Sequence, residues 1–312
     1  MKQRDTPPHG YELAHEDAAL LRGRPPDRAL GWVESAVGRG ARAIKVRALA
    51  GGTSSAIHAV DVRMPNGPVR RLVLRRFVRA DWLAEEPDAP RREAEALEIV
   101  DRCRASTPRL VGLDAEGSDA GVPALLMTRL PGRVDWWPTN LDDYLRRLAE
   151  ALPPIHAIQP PPGARIRAYR PYELELSGPP RGSRRPEIWS RAIEAFEQPQ
   201  PSAERSFIHR DYHPGNVLWS RGTVGVVDWV HASIGSPDAD AGHCRGNLAG
   251  WFGLDAADRF LELYLAASGR SDYHPYWDIA AVLGGNGEEA FLTDGASEDE
   301  PLLAQAVSRL GL

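Results

Sequence analysis

Three runs rich in β-branched and apolar residues, 43–49, 56–62 and 69–77, follow one another with turns but no helix between them. That order demands an antiparallel meander, because parallel neighbours need a crossover of a dozen residues or more. Gly51-Gly52-Thr53-Ser54-Ser55 separates the first two runs. Met64-Pro65-Asn66-Gly67-Pro68 separates the next two, with Asn-Gly as a strong hairpin cue. A short helix is expected over 28–39 and another over 89–103; two further strands, 108–113 and 122–127, are joined by a Gly-Ser-Asp-Ala-Gly turn.

On the helix at 89–103, Glu93, Leu97 and Val100 fall at i, i+4 and i+7, so Glu93 lies on the apolar stripe while Glu95 and Glu98 do not. A carboxylate on a buried face needs a cation. Arg75, closing Leu72-Val73-Leu74-Arg75, is the candidate, and Arg76 faces the opposite side of the strand. The competing explanation is that Glu93 sits near the helix start and complements its dipole.

Past about residue 130 the patterning turns helical. Leu141, Leu145, Leu148 and Leu152 form a stripe that Pro153-Pro154 interrupts. Residues 160–186, rich in Pro, Gly and Arg, read as a loop insertion; helices are expected at 186–196, 247–268 and 277–312, with a solvated acidic loop at 294–300. The chain is thus α+β, in two lobes: an N-terminal one over 1–128, an antiparallel sheet with one key helix, and a mainly helical one over 129–312. Its 312 residues are enough for two cores.

Composition narrows the partners. At 42% hydrophobic and 26% charged the chain is ordinary for a globular protein, and a net charge of −5 without a basic tail argues against nucleic acid. Cys103 and Cys244 are the only cysteines, which suits a reduced, cytoplasmic protein. The first 17 residues are polar and no apolar run approaches membrane-spanning length, so neither a secretory leader nor a membrane partner is expected.

The chemistry concentrates at 209–228, His-Arg-Asp-Tyr-His-Pro-Gly-Asn followed by a short hairpin and Asp228. With a three-residue loop at Ser220-Arg221-Gly222, Trp219 faces Thr223 and Asn216 faces Val226. Asp228 then shares a face with Asn216 as a diagonal neighbour, roughly 7–8 Å away. An amide oxygen and a carboxylate so placed suit Mg²⁺, which fills its shell with water and phosphate oxygens. His209, Asp211 and His213 also alternate, as transition-metal ligands on a strand would, but Pro214-Gly215 stops a strand there.

The run HRDYHPGNVLW, then GVVDW and Asp238-Ala239-Asp240-Ala241-Gly242-His243-Cys244-Arg245, resembles the aminoglycoside phosphotransferase family, a branch of the protein-kinase-like fold that includes choline and homoserine kinases. The resemblance runs over roughly 45–265. It implies ATP, or GTP, as donor, Mg²⁺, and a small-molecule hydroxyl as acceptor. By position, Asp211 matches the catalytic Asp, Asn216 and Asp228 the metal ligands, and Asp240 an acid that supports the loop. Gly51, Gly52, Thr53, Ser54 and Ser55 match a loop over the phosphates, although no Gly-Lys-Ser/Thr of a Walker loop follows. Arg75 matches the phosphate-gripping cation paired with Glu93. Met127, Thr128 and Leu130 match the hinge whose backbone meets the base. Six Arg of the insertion would fit a polycationic acceptor poorly. A nucleotide-binding pseudokinase is the alternative function, but Asp211, Asn216 and Asp228 are all present. The acceptor and the oligomeric state are not written in the sequence.

Overall fold

In the computed structural model, which describes residues 15–52, 54–65, 67–103, 105–171, 178–202, 204–285 and 299–312, the early strands form one sheet. These are β1 (Arg42–Ala48), β2 (Ala56–Arg63), β3 (Val69–Arg76), β4 (Leu110–Asp114) and β5 (Ala124–Thr128). Their spatial order is β1-β2-β3-β5-β4, and every neighbouring pair is antiparallel. The meander is as the turn spacing requires. Asn66 of the expected hairpin cue, Thr53 and residues 294–298 of the acidic segment lie outside the described residues.

The sheet's two faces have different tasks. Leu72, Leu74, Val60, Val62 and Leu126 pack with Ala29, Trp32 and Val33 of helix α2 (Asp27–Val37), which follows α1 (His15–Arg22). Arg75, next to Leu74 on the strand, points to the other face, where helix α4 (Ala89–Val100) brings Glu93. The short α3 (Ala80–Glu85) precedes α4.

The remaining helices are α5 (Leu141–His156), α6 (Pro186–Phe196), α7 (Pro237–Phe252), α8 (Leu254–Ser268), α9 (Tyr276–Gly285) and α10 (Glu300–Arg309). Short strands β6 (Ser206–Ile208), β7 (Val217–Ser220), β8 (Thr223–Val226) and β9 (Ser233–Gly235) pair as β6-β9 and β7-β8. Two compact units result. One holds the described part of Met1–Arg133 with Gly163–Arg165 and Leu218–Val230; the other holds Val134–Pro162, the described part of Ile166–Val217, and that of His231–Leu312. The second unit has its own core, in which Trp189 and Ile193 of α6 meet Ile279 and Leu283 of α9 and Leu303 and Val307 of α10.

Three expectations change. The β7-β8 loop has two residues, not three: Arg221 and Gly222 both have positive φ, 41° and 83°, the twist of a type I′ turn that closes a two-residue hairpin. The assumed register, with Trp219 facing Thr223, therefore does not hold. Helix α5 runs through Pro153-Pro154, because the prolines sit in its last turn, where Leu152 and Ile155 are buried and Ala157 N–H still reaches the Pro153 carbonyl. Helix α7 starts at 237, ten residues before the expected 247. Its first half is buried all round, so no one-sided apolar stripe marks it. The cue was local: Ser236 caps Asp238 N–H, and Pro237 takes the first helical position.

Candidate active site

In the first unit the site centres on Arg75, which is 3% exposed. Its Nη1 donates to Glu93 Oε1 at 2.9 Å and to Asp228 Oδ1 at 2.7 Å, and its Nε donates to Ser55 Oγ at 3.1 Å. Arg75 is fixed from both sides of its strand, paired with Ile57 on β2 and Leu125 on β5. Glu93 is equally buried; burial pushes its carboxyl up from the ordinary range, against the pull of Arg75. The two carboxylates keep the guanidinium charged, outweighing its burial.

Asp228 follows β8 with φ 68°, so left-handed backbone rather than the pleat aims its side chain. That is the local reason it reaches Arg75. Gly51 and Gly52 end the stretch leaving β1, and Ser54 and Ser55 lead into β2; Ser55 is buried against Arg75. Thr53 lies outside the described residues.

The candidate hinge is partly engaged by the sheet. Met127 and Thr128 lie on β5, Thr128 N–H donates to the Arg109 carbonyl at 2.9 Å, and Arg129 N–H to the Arg71 carbonyl at 3.0 Å. Leu130 follows, before Pro131, which has no N–H. A cavity of about 480 Å³ beside 128–130 is lined by Asp101, Ser106, Arg109 and Arg129 among others. That polar lining is unlike the apolar walls of most small-molecule sites.

In the second unit the centre is Asp211. Its Oδ2 accepts Asn216 Nδ2–H at 2.9 Å, and its Oδ1 lies 3.0 Å from His243 Nε2. Asn216 ends a 3₁₀ turn, Pro214–Asn216, and also donates to the Asp211 carbonyl. With its Nδ2 turned to Asp211 in this way, Asn216 presents its Oδ1 on the opposite side. Burial pushes the Asp211 carboxyl up, but the His243 hydrogen bond and the charges of His213, His243 and His231 outweigh it. The group is held well below the usual carboxylate range.

The loop that carries Asp211 is pinned by its backbone. Asp240 on α7 accepts the N–H of His209 at 2.9 Å and of Arg210 at 2.6 Å, and His156 Nε2 at 3.0 Å. Arg210 holds φ 71°, and its guanidinium donates to the Arg170 carbonyl and lies over Tyr169. The described stretch of the insertion is tied in beside β9, with Tyr169 N–H on the Ile234 carbonyl. His243 escaped the sequence reading. It sits in the stretch that resembles the family, but no period or spacing singles out one histidine on a helix whose first half has no one-sided apolar stripe.

Residues 45–280 match the model of the phosphotransferase enzyme family. Among solved structures, macrolide 2′-phosphotransferase MphH of Brachybacterium faecium superposes with a TM-score of 0.58 at 17% identity, over 90% of this chain and 98% of that one. A thermostable mutant of aminoglycoside phosphotransferase APH(4)-Ia, in complex with ADP and hygromycin B, gives 0.58 at 13% identity, over 89% and 97%. The GDP complex of aminoglycoside 2′-phosphotransferase-IIIa gives 0.53 at 18%, over 86% and 94%. At these identities the likeness is one of fold. No curated protein sequence matches the chain.

Proposed function

The chain belongs to the phosphotransferase enzyme family, and from that premise we propose that it moves the γ-phosphate of ATP, or GTP, to a hydroxyl of a small molecule. The observation that carries this reading is the Asp211 carboxylate, held between Asn216 and His243 on a loop whose backbone Asp240 pins. The ADP, GDP, hygromycin B and macrolide named with the similar structures fit a nucleotide donor and a small-molecule acceptor.

Asp211 is the catalytic residue in this mechanism. Its carboxylate, fixed by Asn216 and His243, would orient the acceptor hydroxyl and take its proton. The acceptor oxygen bonds the γ-phosphorus, the bond to the bridging oxygen breaks, and the nucleoside diphosphate leaves. Arg75, held rigid by Glu93, grips the phosphates, aided by the backbone of the stretch 51–55. Leu130 supplies the N–H for the base, since those of Thr128 and Arg129 are engaged. In this reading residues 1–128 are the nucleotide-binding lobe and 129–312 the catalytic and substrate-binding lobe.

Asn216 and Asp228 are the proposed Mg²⁺ ligands. The donor set fits: both offer hard oxygens, and the amide's nitrogen is already taken by Asp211. Among the described residues no group of three or more His, Cys, Asp or Glu could hold a metal, so phosphate and water would complete the shell, as Mg²⁺ prefers. The bound ion would neutralise charge developing on the phosphoryl oxygens.

Asp211→Ala tests the mechanism. We expect γ-phosphate transfer, followed across a panel of hydroxyl compounds, to vanish while nucleotide affinity stays within about threefold, since the lost step contributes 10²–10⁴-fold. Transfer surviving that change would overturn the assignment. Nucleotide binding without turnover over the whole panel would favour the pseudokinase alternative.

A further inference from the structure

Each oxygen of the Asp211 carboxylate meets a donor from a different element. Asn216 Nδ2, on the turn after the loop, holds Oδ2 at 2.9 Å, and His243 Nε2, on α7, holds Oδ1 at 3.0 Å. His213 stands farther off, its Nε2 3.9 Å from Oδ1, and its Nδ1 accepts Gly215 N–H. A carboxylate pinned at one oxygen can still swing about its last torsion, which is broad for Asp. Pinned at both, its plane is set, and each oxygen keeps a further lone pair for the acceptor hydroxyl.

His243 and Asp240 are three residues apart on α7 and share one side of the helix. Asp240 fixes the backbone of His209 and Arg210; His243 reaches the side chain of the next residue. The helix delivering both is itself anchored, with Ser236 as its cap and Arg245 bonded to buried Asp278 at 2.8 Å. We propose that His243 is a positioning residue for Asp211: its Nε2–H holds Oδ1 and so sets the carboxylate for the acceptor hydroxyl. The role rests on the reading of Asp211 given above.

The test compares His243→Phe, which keeps a ring without the donor, with His243→Gln, which restores an N–H. The His243 side chain is 22% exposed, so neither change opens a deep cavity. With water as the acceptor, phosphate release from γ-labelled ATP is measured at saturating Mg²⁺. His243→Phe should lower kcat by about 10- to 100-fold, the scale of one charge-assisted hydrogen bond. KM for ATP should be unchanged, and His243→Gln should recover most of the rate. An unchanged kcat in His243→Phe, with Asp211→Ala inactive, overturns the positioning role and leaves Asp211 standing. An Asp211→Ala variant as fast as the parent overturns the underlying reading instead. Should water prove too poor an acceptor to follow, ¹⁵N-histidine NMR decides. The His243 Nε2–H resonance should be protected from exchange in the parent and lose that protection in Asp211→Ala, and protection equal in both overturns the proposal.

Discussion

Arg75 sits where two opposing demands meet. It is buried, and one of its nitrogens serves two carboxylates, of which Glu93 is 1% exposed and Asp228 31%. Breaking such a pair from one side strands a buried charge, whereas removing both partners does not. Arg75→Met should therefore lower stability by about 3–5 kcal/mol. The double variant Arg75→Met/Glu93→Leu should lose much less, because Asp228 can turn to water. A urea-denaturation double-mutant cycle measures the difference, and additive losses would refute the pairing as the cause. Glu93 was legible from helical period together with the resemblance to the family: a carboxylate on an apolar stripe asks for a cation. The contact of Arg75 with Asp228 was not, since 153 residues separate them and a left-handed backbone step turns the side chain.

Helix α7 shows what an element can hide. Gly242 passes so close to α9 that a Cβ there would stand 2.5 Å from the Trp277 carbonyl oxygen. Gly242→Ala should cost about 1–3 kcal/mol through overpacking. Because Asp240 and His243 flank it, activity should fall with stability; a variant that melts early yet keeps full kcat would contradict the coupling. The turn between β4 and β5 depends on Asp114, whose carboxylate accepts the N–H groups of Ser118, Asp119 and Ala120 at 3.0, 2.8 and 2.7 Å. Burial raises this carboxyl, but those backbone donors outweigh it and leave it below its ordinary value of 3.8. A depressed acid stabilises the fold above its unfolded value and loses that contribution as pH falls through the folded one. Asp114→Ala should thus cost about 1.5–3 kcal/mol at pH 7, and the gap between parent and variant should close as pH drops below about 4. Thermal melts of both across that window decide it. Glu300 plays the same part for the stretch before α6, accepting from Ser183, Arg184, Arg185 and Trp189. Neither clamp has a periodic signature, because its partners are backbone groups or, for Ser183 and Trp189 on Glu300, side chains far away in sequence.

For the chain entire, the proposed donor site predicts a linkage. A ligand that binds only the folded state stabilises it by about 2.7 kcal/mol at one hundred times its dissociation constant. ATP with Mg²⁺ should raise the melting temperature more than ATP alone, and Asp228→Asn should abolish the difference; equal shifts with and without the ion would remove Asp228 as a ligand. Among the described residues no helix is long and apolar enough to cross a membrane. Strand runs, turn residues and helical stripes are recorded in neighbours along the chain, so the meander, α2, α4, α6 and the family's motifs could all be read without coordinates. Contacts whose partners are distant in sequence or are backbone groups leave no period to read. That is why the Arg75–Asp228 bond and the His243–Asp211 contact emerged only when the chain was folded, whereas the two-residue β7-β8 turn and the early start of α7 had local cues that no apolar period reinforces.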